Sequence, residues 1–297
     1  MSTRRTLRYG MTGADVLEVK KTLFRLGYYA PDVTQVTKES FGDDTRTAVK
    51  AFQRANGLTA DGIVGKDTYA ALDAADGSAQ TDSVPTDPAT IPIPDNIGAA
   101  AAEAVRSALV GVSALRRGIV LDALQFAFDR TVGGAYPLSL YIRGGNLYTT
   151  ALKPNIITLS TIASGASRQP EYYDNGRREM MEATVRSNPS VTGADCSGGV
   201  VGLLRHAGVV SKGFDLSADG FASRYAGIGR DALRPADLVH KSGHIGVFVG
   251  GGYVVEWMGG AYGCQLTKLL DRRGYSFVTK KTGSMGAWTR FLRMNLG

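Results

Sequence analysis

The spacing of apolar residues changes near His206, and this change limits the fold class. Before this point, apolar residues recur at steps of three and four, which is the period of one helix face. After it, short β-branched runs such as HIGVFVG and YVVEWMG are separated by glycines, among them the GGG at 250–252. Such runs are typical of β-hairpins. Helices followed by an antiparallel sheet predict an α+β fold.

The first 75 residues carry three segments with helical spacing. One ends at Gly27, a second begins at Asp44, and a short third segment has Asp67 as its candidate N-cap. The positions predicted to be buried in the first two helices are Val16, Val19, Leu23, Leu26, Ala48, Val49 and Phe52. We therefore predict a small three-helix domain over residues 1–75.

Residues 76–97 differ in composition from the segments on either side. They hold four prolines and four aspartates, no basic residue, and little large apolar content before Ile91. Because proline favours an extended chain, this stretch is predicted to be a linker. Residues 98–116 are Ala-rich and predict a connector helix, in which Gly111 is the one break. Residues 117–297 then form a second domain, since 297 residues suffice for two.

The charge of the chain points to an anionic partner without naming it. The net charge is +7, and residues 98–297 hold 23 Lys and Arg against 14 Asp and Glu, an excess of nine. The sequence has no basic run of five or more and no recognition motif, so no nucleic-acid partner is predicted. An anionic cell wall would fit this charge, and a solvated basic surface is the alternative.

Three further features bear on location. MSTRRTLRYG lacks an apolar segment behind its basic residues, so we expect no secretory signal peptide and synthesis in the cytoplasm. The most apolar stretch, about residues 97–128, is interrupted by Glu103, Arg106 and Asp122, which argues against insertion into a membrane. Two cysteines do not make a disulfide scaffold, although one pair could bond.

Cys196 lies in ADCSGGVVGLLRHAG, where a turn and small residues precede an apolar helical pattern. This pattern predicts Cys196 at a helix N-terminus, where the macrodipole and unpaired N–H groups favour the thiolate. An isolated cysteine is more often a buried structural residue, and Cys264 is interpreted in this way. A nucleophilic cysteine also needs a base, and a group that orients the base.

The positions of the three histidines narrow the choice of base. His206 lies ten residues along the same helix as Cys196, about 15 Å away by helical rise, which is too far. His240 and His244 flank the KSG turn, and antiparallel pairing would bring Glu256 beside His244. We predict His244 as the base and Glu256 as the residue that orients it; a solvent-exposed glutamate is the alternative. A zinc site would lack a fourth ligand at a recognisable spacing, so no metal or cofactor is predicted.

The string LRYGMTGADVLEVKKTLFRLGYY…SFGDDTRTAVKAFQRANGLTADGIVGKDTYAAL resembles the peptidoglycan-binding module type 1 over about residues 6–74. Most matching positions are core or turn formers, so the match supports the fold more directly than the binding. The resemblance implies bacterial peptidoglycan as the partner. A spacer domain that binds nothing, or a domain that binds a protein, are the alternatives.

Residues 117–293 resemble the NlpC/P60 family of papain-like cysteine peptidases. DCSGG matches its DCSG block, RPADLV its PGDLV block, GHIGVFVGGGYVVE its GHVGIYVGNG block, and YIRGG its upstream Tyr-x-x-Gly-Gly. The family implies thiolate attack by Cys196, with His244 as general base and then acid, and Glu256 in support. The backbone N–H of Cys196 is then a candidate oxyanion donor. Glu256 stands where the family most often has His, and Ala236 where it usually has Gly.

The same resemblance suggests the substrate-binding residues. Tyr141 is the tyrosine that borders the active site in this family, and Asp195 and Ser197 flank the nucleophile. Residues 146–195 are a longer segment than the family needs between these motifs. We interpret them as a helical flap that carries Tyr172, Tyr173 and Arg177 and shapes substrate specificity.

Together, the two resemblances predict a peptidoglycan hydrolase that cleaves an amide bond in the stem peptide or at a crosslink. A phage endolysin, released through a holin and acting on the cell wall, is the preferred interpretation; a tail-borne lysin or a secretion-system effector are variants of it. Cleavage of the amide that joins sugar to peptide is the nearest alternative. A non-catalytic wall-binding tail component, and a cytoplasmic acyltransferase or amidase, are the other two.

Overall fold

The structure is a computed structural model that describes residues 4–26, 28, 29, 38–76, 84–294 and 296. The predicted helix end at Gly27 lies outside these residues. The chain divides into two compact units, of which the first is Met1–Ser83 with Leu204–Phe214 and the second is Val84–Leu203 with Asp215–Gly297.

The N-terminal part of the first unit is helical, as predicted. Its described residues form helices α1 (Ala14–Arg25), α2 (Asp43–Ala55) and α3 (Lys66–Asp76). Asp67 is not the N-cap of the third helix, because α3 begins one residue before it. Its carboxylate lies in the first turn, where a negative charge is also favourable to the helix macrodipole.

The apolar faces of these helices form one core. All predicted positions in it are buried except Leu26, which is partly buried and packs against the others. Gln53 fixes the turn between α2 and α3, since its amide donates to Asp61 (2.8 Å) and to the carbonyl of Ile63 (2.9 Å). Its own carbonyl accepts from the N–H of Gly62 at 2.9 Å. A buried amide that is satisfied at both ends holds the turn in one conformation.

The rest of the described chain combines helices with a sheet. The helices are α4 (Ala99–Leu109), α5 (Ala114–Phe126), α6 (Leu159–Arg168), α7 (Arg177–Ser187), α8 (Cys196–His206) and α9 (Ala218–Arg224). The strands are β1 (Ser139–Tyr141), β2 (Thr192–Ala194), β3 (Ala226–Ile228), β4 (Leu238–Lys241), β5 (His244–Gly250), β6 (Tyr253–Trp257), β7 (Cys264–Lys268), β8 (Arg273–Tyr275), β9 (Thr282–Ser284) and β10 (Arg290–Arg293). The predicted combination of helices and antiparallel strands is confirmed.

Six of these strands form one sheet in the order β3-β10-β4-β5-β6-β7, and every neighbouring pair in it is antiparallel. The segments HIGVFVG and YVVEWMG supply β5 and β6, so the glycines at 250–252 do mark a hairpin. Outside the sheet, β1 pairs with β2 in parallel and β8 with β9 in antiparallel orientation.

The predicted linker, 76–97, differs from its prediction over the part that the structure describes. Residues 77–83 lie outside that part. From residue 84 the chain belongs to the second unit, and Ile91, Ile93 and Ile97 are buried there. Burying three isoleucines favours packing over the extended chain that the prolines alone would allow.

The predicted connector helix 98–116 is divided in two. The first part, α4, ends at Leu109 and α5 begins at Ala114. Gly111 lies between them with a φ of 74°, a left-handed conformation that favours glycine and ends a helix. The break therefore occurs at the glycine that the sequence places within the segment.

Residues 146–195 hold the helices α6 and α7 and the strand β2, and they pack into the unit instead of forming a flap. Ile162 of α6 and Met181 of α7 belong to a buried cluster that also contains Phe128, Ile142 and Phe277 from other parts of the unit. Because this segment supplies part of a shared core, it belongs to the body of the unit. A flap that opens would have to expose these side chains to water.

A buried ion cluster connects α5 to the sheet next to β4. Asp237 is fully buried and accepts from Arg116 (Nη1, 3.0 Å) and from Arg293 (Nη2, 2.7 Å). Its neighbour Ala236 has a φ of 68°, again in the left-handed region. Glycine adopts this conformation more readily than alanine, and position 236 is one where the resemblance stated above would have glycine.

Candidate active site

The helix that carries Cys196 is capped by the residue before it. Oδ1 of Asp195 accepts from the N–H of Gly198 at 2.7 Å and from the hydroxyl of Ser197 at 3.1 Å. Its Oδ2 accepts from the N–H of Gly144 at 2.8 Å. Since both oxygens are engaged within the protein, Asp195 holds the start of α8 in place and connects it to the YIRGG loop.

Glycines in the DCSGG motif allow α8 to approach its neighbours closely. A Cβ added at Gly198 would lie 1.9 Å from the carbonyl oxygen of Gly145. One added at Gly199 would lie 2.2 Å from the ring of Trp257, the residue after Glu256 on β6. These distances leave no room for a side chain, so the glycines fix the position of the helix against the sheet.

Cys196 opens onto a cleft of about 340 Å³. Three of the four predicted substrate-binding residues, Tyr141, Asp195 and Ser197, line the cleft together with Cys196. Tyr173 is not among its lining residues. It is 6% exposed, belongs to the buried cluster of the second unit, and lines a neighbouring depression instead.

The Cys196 thiol is more buried and less acidic than its helix position suggested. Only 7% of the residue is exposed, and Sγ lies 3.8 Å from the carbonyl oxygen of Gly243. Burial, and then the charge of Asp195, raises the pKa of Cys196 to about 11. Burial and the capping carboxylate therefore oppose the thiolate that the helix position favours.

The predicted pair of His244 and Glu256 is in direct contact. Val247 of β5 lies opposite Val255 of β6, and this register carries both side chains to the same end of the hairpin. Nε2 of His244 lies 2.7 Å from Oε2 of Glu256. Glu256 is fully buried, so the solvent-exposed alternative for it is wrong.

Cys196 contacts the residue before β5 through a backbone carbonyl and not through a side chain. Sγ lies beside Gly243, the residue before His244. Within the described residues, no hydrogen bond joins the thiol to the His244 ring. The pairing of Nε2 with Glu256 leaves Nδ1 as the ring nitrogen that is not paired with this carboxylate.

Glu256 has two further partners that the sequence did not single out. Arg272 donates from Nε to Oε1 at 2.8 Å and from Nη2 to Oε2 at 2.5 Å, and the hydroxyl of Thr267 donates to Oε1 at 2.6 Å. Burial alone would raise the pKa of Glu256, but hydrogen bonds from Arg272 and His244 outweigh it and hold the pKa below its usual value. Glu256 therefore presents a charged carboxylate to the imidazole.

Trp288 connects the base to the arginine. Its ring stacks on that of His244, with centroids 5.5 Å apart and planes inclined by 10°. The guanidinium of Arg272 lies 4.4 Å from the centroid of the same indole. Since Trp288 is buried, it limits both the rotation of the imidazole and the access of water to it.

A second imidazole–carboxylate pair lies beside the cleft. Nε2 of His240 is 2.8 Å from Oδ1 of Asp219, which also accepts from the N–H of Gly243 at 3.0 Å. The N–H of Gly243, and then His240, hold the pKa of Asp219 below its usual value. Asp219 lines the cleft, whereas His240 is buried, and in the described part of the chain its Nδ1 has no hydrogen-bond partner.

The other sequence predictions concern metals, membranes and the second cysteine. In the described residues no group of three His, Cys, Asp or Glu side chains could hold a metal ion, and no helix is long and apolar enough to cross a membrane. Cys264 is fully buried, and burial raises the pKa of its thiol well above the usual value. Both cysteines are free thiols.

Comparison with known proteins identifies the N-terminal unit. Residues 12–72 match the family model described as “Putative peptidoglycan binding domain”. This confirms the resemblance of this part of the chain to peptidoglycan-binding modules. The match does not reach Cys196, His244 or Glu256.

The other two comparisons concern the whole chain. No curated protein matches the chain. A solved structure titled “Crystal structure of Burkholderia AP3 phage endolysin” is 20% identical, over 62% of this chain and 63% of that chain, with a TM-score of 0.21. The chain thus covers less than two thirds of that protein, and a TM-score of 0.21 does not establish a shared fold.

Proposed function

We propose that this chain is a peptidoglycan hydrolase of the NlpC/P60 type, a cysteine peptidase that cleaves an amide bond in the stem peptide or at a crosslink. The observation that carries the proposal is a cysteine at a helix start whose thiol lies beside Gly243, the residue before a histidine that pairs with the buried Glu256. The N-terminal peptidoglycan-binding domain supports the substrate class.

The proposed reaction uses residues of this chain alone. Sγ of Cys196 attacks the carbonyl carbon of the amide while its proton passes to Nδ1 of His244. The imidazolium then gives this proton to the departing amine, and water hydrolyses the thioester to release the acid and restore the thiol. The N–H of Cys196 is the candidate donor to the oxyanion.

The raised pKa of Cys196 sets the order of these events. A thiol with a pKa of about 11 is protonated at neutral pH, so it must lose its proton to the base as it attacks. Glu256, held in its charged form by Arg272, would stabilise the imidazolium that results. Substrate binding has to bring Sγ and the imidazole within hydrogen-bond distance.

A second candidate function is wall binding without catalysis. It is favoured by the low exposure of Cys196 and by the hydrogen bond of its thiol to Gly243 rather than to a histidine. In that case the second unit would be a structural part of a larger wall-directed assembly such as a phage tail. Release of an active enzyme through a holin belongs to the first candidate only.

Digestion of purified peptidoglycan separates these functions. The wild-type protein and its Cys196→Ala variant are incubated with the polymer, and the soluble fragments are identified by mass spectrometry. Cys264→Ala is the matched control, because it removes a thiol that does not line the cleft. New amino termini inside the stem peptide, lost only in Cys196→Ala, support the peptidase. Free lactyl groups would make the enzyme an amidase. No fragments from any of the three proteins would leave a binding protein, and equal digestion by all three would contradict Cys196 as the nucleophile.

A further inference from the structure

A second depression adjoins the Cys196 cleft. Its volume is about 370 Å³, and it shares Arg143 and Gln169 with the cleft. Thr161, Gly165 and Arg168 of α6 contribute to its lining. A substrate that reaches Cys196 can therefore extend over a surface built by residues 146–195.

Two arginines give this depression a positive charge. Arg143 belongs to the YIRGG loop and Arg168 to the last turn of α6, and both are exposed. Its lining residues, all within the described part of the chain, include no acidic side chain. Neither arginine forms an ion pair with a residue that the structure describes.

Three other arginines, all within residues 146–195, do form ion pairs. Arg177 pairs with Asp174 at 2.6 Å, and both Arg178 and Arg186 pair with Glu182, at 2.8 and 3.1 Å. Arginines in this segment therefore find an acidic partner where one is within reach. Among the arginines of residues 146–195, all of which the structure describes, only Arg168 lacks such a partner. Arg143 of the preceding YIRGG loop lacks one as well, and both arginines line the depression.

Arg143 is also held in place. Its guanidinium lies 4.5 Å from the ring centroid of Tyr172, in the turn that follows α6. Such stacking restricts a long side chain and leaves the edge of the guanidinium free to donate hydrogen bonds. A planar guanidinium matches the two oxygens of a carboxylate, and Thr161 and Gln169 offer further polar groups nearby.

We infer that Arg143 and Arg168 form a subsite for a free carboxylate of the substrate, and that the site discriminates against the corresponding amide. The inference rests on the proposed function for its choice of peptide substrate. A glutamate that is linked through its side-chain carboxyl keeps its α-carboxylate free, and this is the type of group that the two guanidiniums would bind. An amide at the same position would offer no negative charge.

Binding to the Cys196→Ala protein tests this without turnover. The probes are L-Ala-γ-D-Glu-L-Lys-D-Ala and the same peptide with its glutamate α-carboxylate converted to an amide. Calorimetric titration at low salt should give a Kd at least about 10-fold lower for the acid than for the amide. Adding Arg143→Gln and Arg168→Gln should reduce the ratio to about 2-fold or less.

Arg230→Gln is the matched control, because Arg230 is exposed, pairs with Asp231 and lines neither cavity. It should leave the ratio unchanged. Equal affinities, no binding of either peptide, or a preference that survives the double substitution would overturn the subsite. Peptidoglycan digestion by the wild type is measured separately. Hydrolysis without a preference for the carboxylate would contradict the proposed subsite alone. A preference for the carboxylate without hydrolysis would contradict the proposed peptidase activity alone.

Discussion

Arg272 holds Glu256 in a two-pronged ion pair, with Nε 2.8 Å from Oε1 and Nη2 2.5 Å from Oε2. Both side chains are buried, and Glu256 in turn contacts His244. A carboxylate can be charged in such a place only while its partners are present. The charge of the residue that orients the proposed base therefore depends on an arginine that lies sixteen residues after it in the sequence.

Replacing Arg272 by methionine should be strongly destabilising. The substitution leaves a buried carboxylate without its cation, and we expect the free energy of unfolding in urea at pH 7 to fall by about 3–5 kcal/mol. Arg272→Met combined with Glu256→Gln should be more stable than Arg272→Met alone, because the unpaired charge is gone.

The neighbouring Arg273 provides the control for this comparison. Its side chain is 53% exposed and lies 3.9 Å from Asp271, so Arg273→Met should change stability by less than about 0.5 kcal/mol. Additive effects of Arg272→Met and Glu256→Gln would contradict the coupling between them.

Acid should destabilise the wild type more than Glu256→Gln. The folded-state pKa of Glu256 lies below its ordinary value of 4.5, so its ionisation stabilises the fold above that value and the contribution is lost as the pH falls through the folded pKa. Urea unfolding at pH 7 and at several points below pH 4.5 should show a steeper loss for the wild type. Parallel pH curves for the two proteins would show that Glu256 is not the linked group.

The pair of His244 and Glu256 could be predicted because it depends on local pattern. Alternation along β5 and β6, with a glycine turn between them, sets which residues lie side by side. Arg272 could not be found in this way. It stands beside Arg273 in DRRG, and only the fold of the distant chain decides which of the two arginines becomes buried.

For the segment before α4, the local pattern gave a wrong prediction. Its prolines predicted an extended linker, yet Ile91, Ile93 and Ile97 pack into the second unit. Isoleucines that alternate with prolines can lie exposed in an extended linker or pack against a domain. Only the tertiary structure decides between these two cases. The low acidity of Cys196 was missed for a similar reason, since burial, the main cause of its raised pKa, is a tertiary feature.

Cys196 should react slowly with alkylating reagents at neutral pH. Its pKa of about 11 means that the reactive thiolate is rare below pH 9, and burial also raises the pKa of Cys264 well above its usual value. In Cys264→Ala, the rate of iodoacetamide modification should rise steadily from pH 7 to pH 10, as followed by mass spectrometry. A rate that reaches its plateau near pH 7 would show that a base already holds the thiol proton in the free protein.

Two glycine substitutions, both within helices, test the packing that places Cys196. A methyl group at Gly199 would meet the ring of Trp257 at 2.2 Å, so Gly199→Ala should lower stability by about 1–3 kcal/mol and reduce activity with it, because α8 must shift. Gly118 lies within α5, and a Cβ there would meet nothing within 4 Å. Gly118→Ala should therefore raise stability by about 0.5–1 kcal/mol, since alanine is the better helix former. Thermal and urea unfolding of both variants give the comparison, and a Gly199→Ala protein as stable as Gly118→Ala would mean that α8 does not press against Trp257.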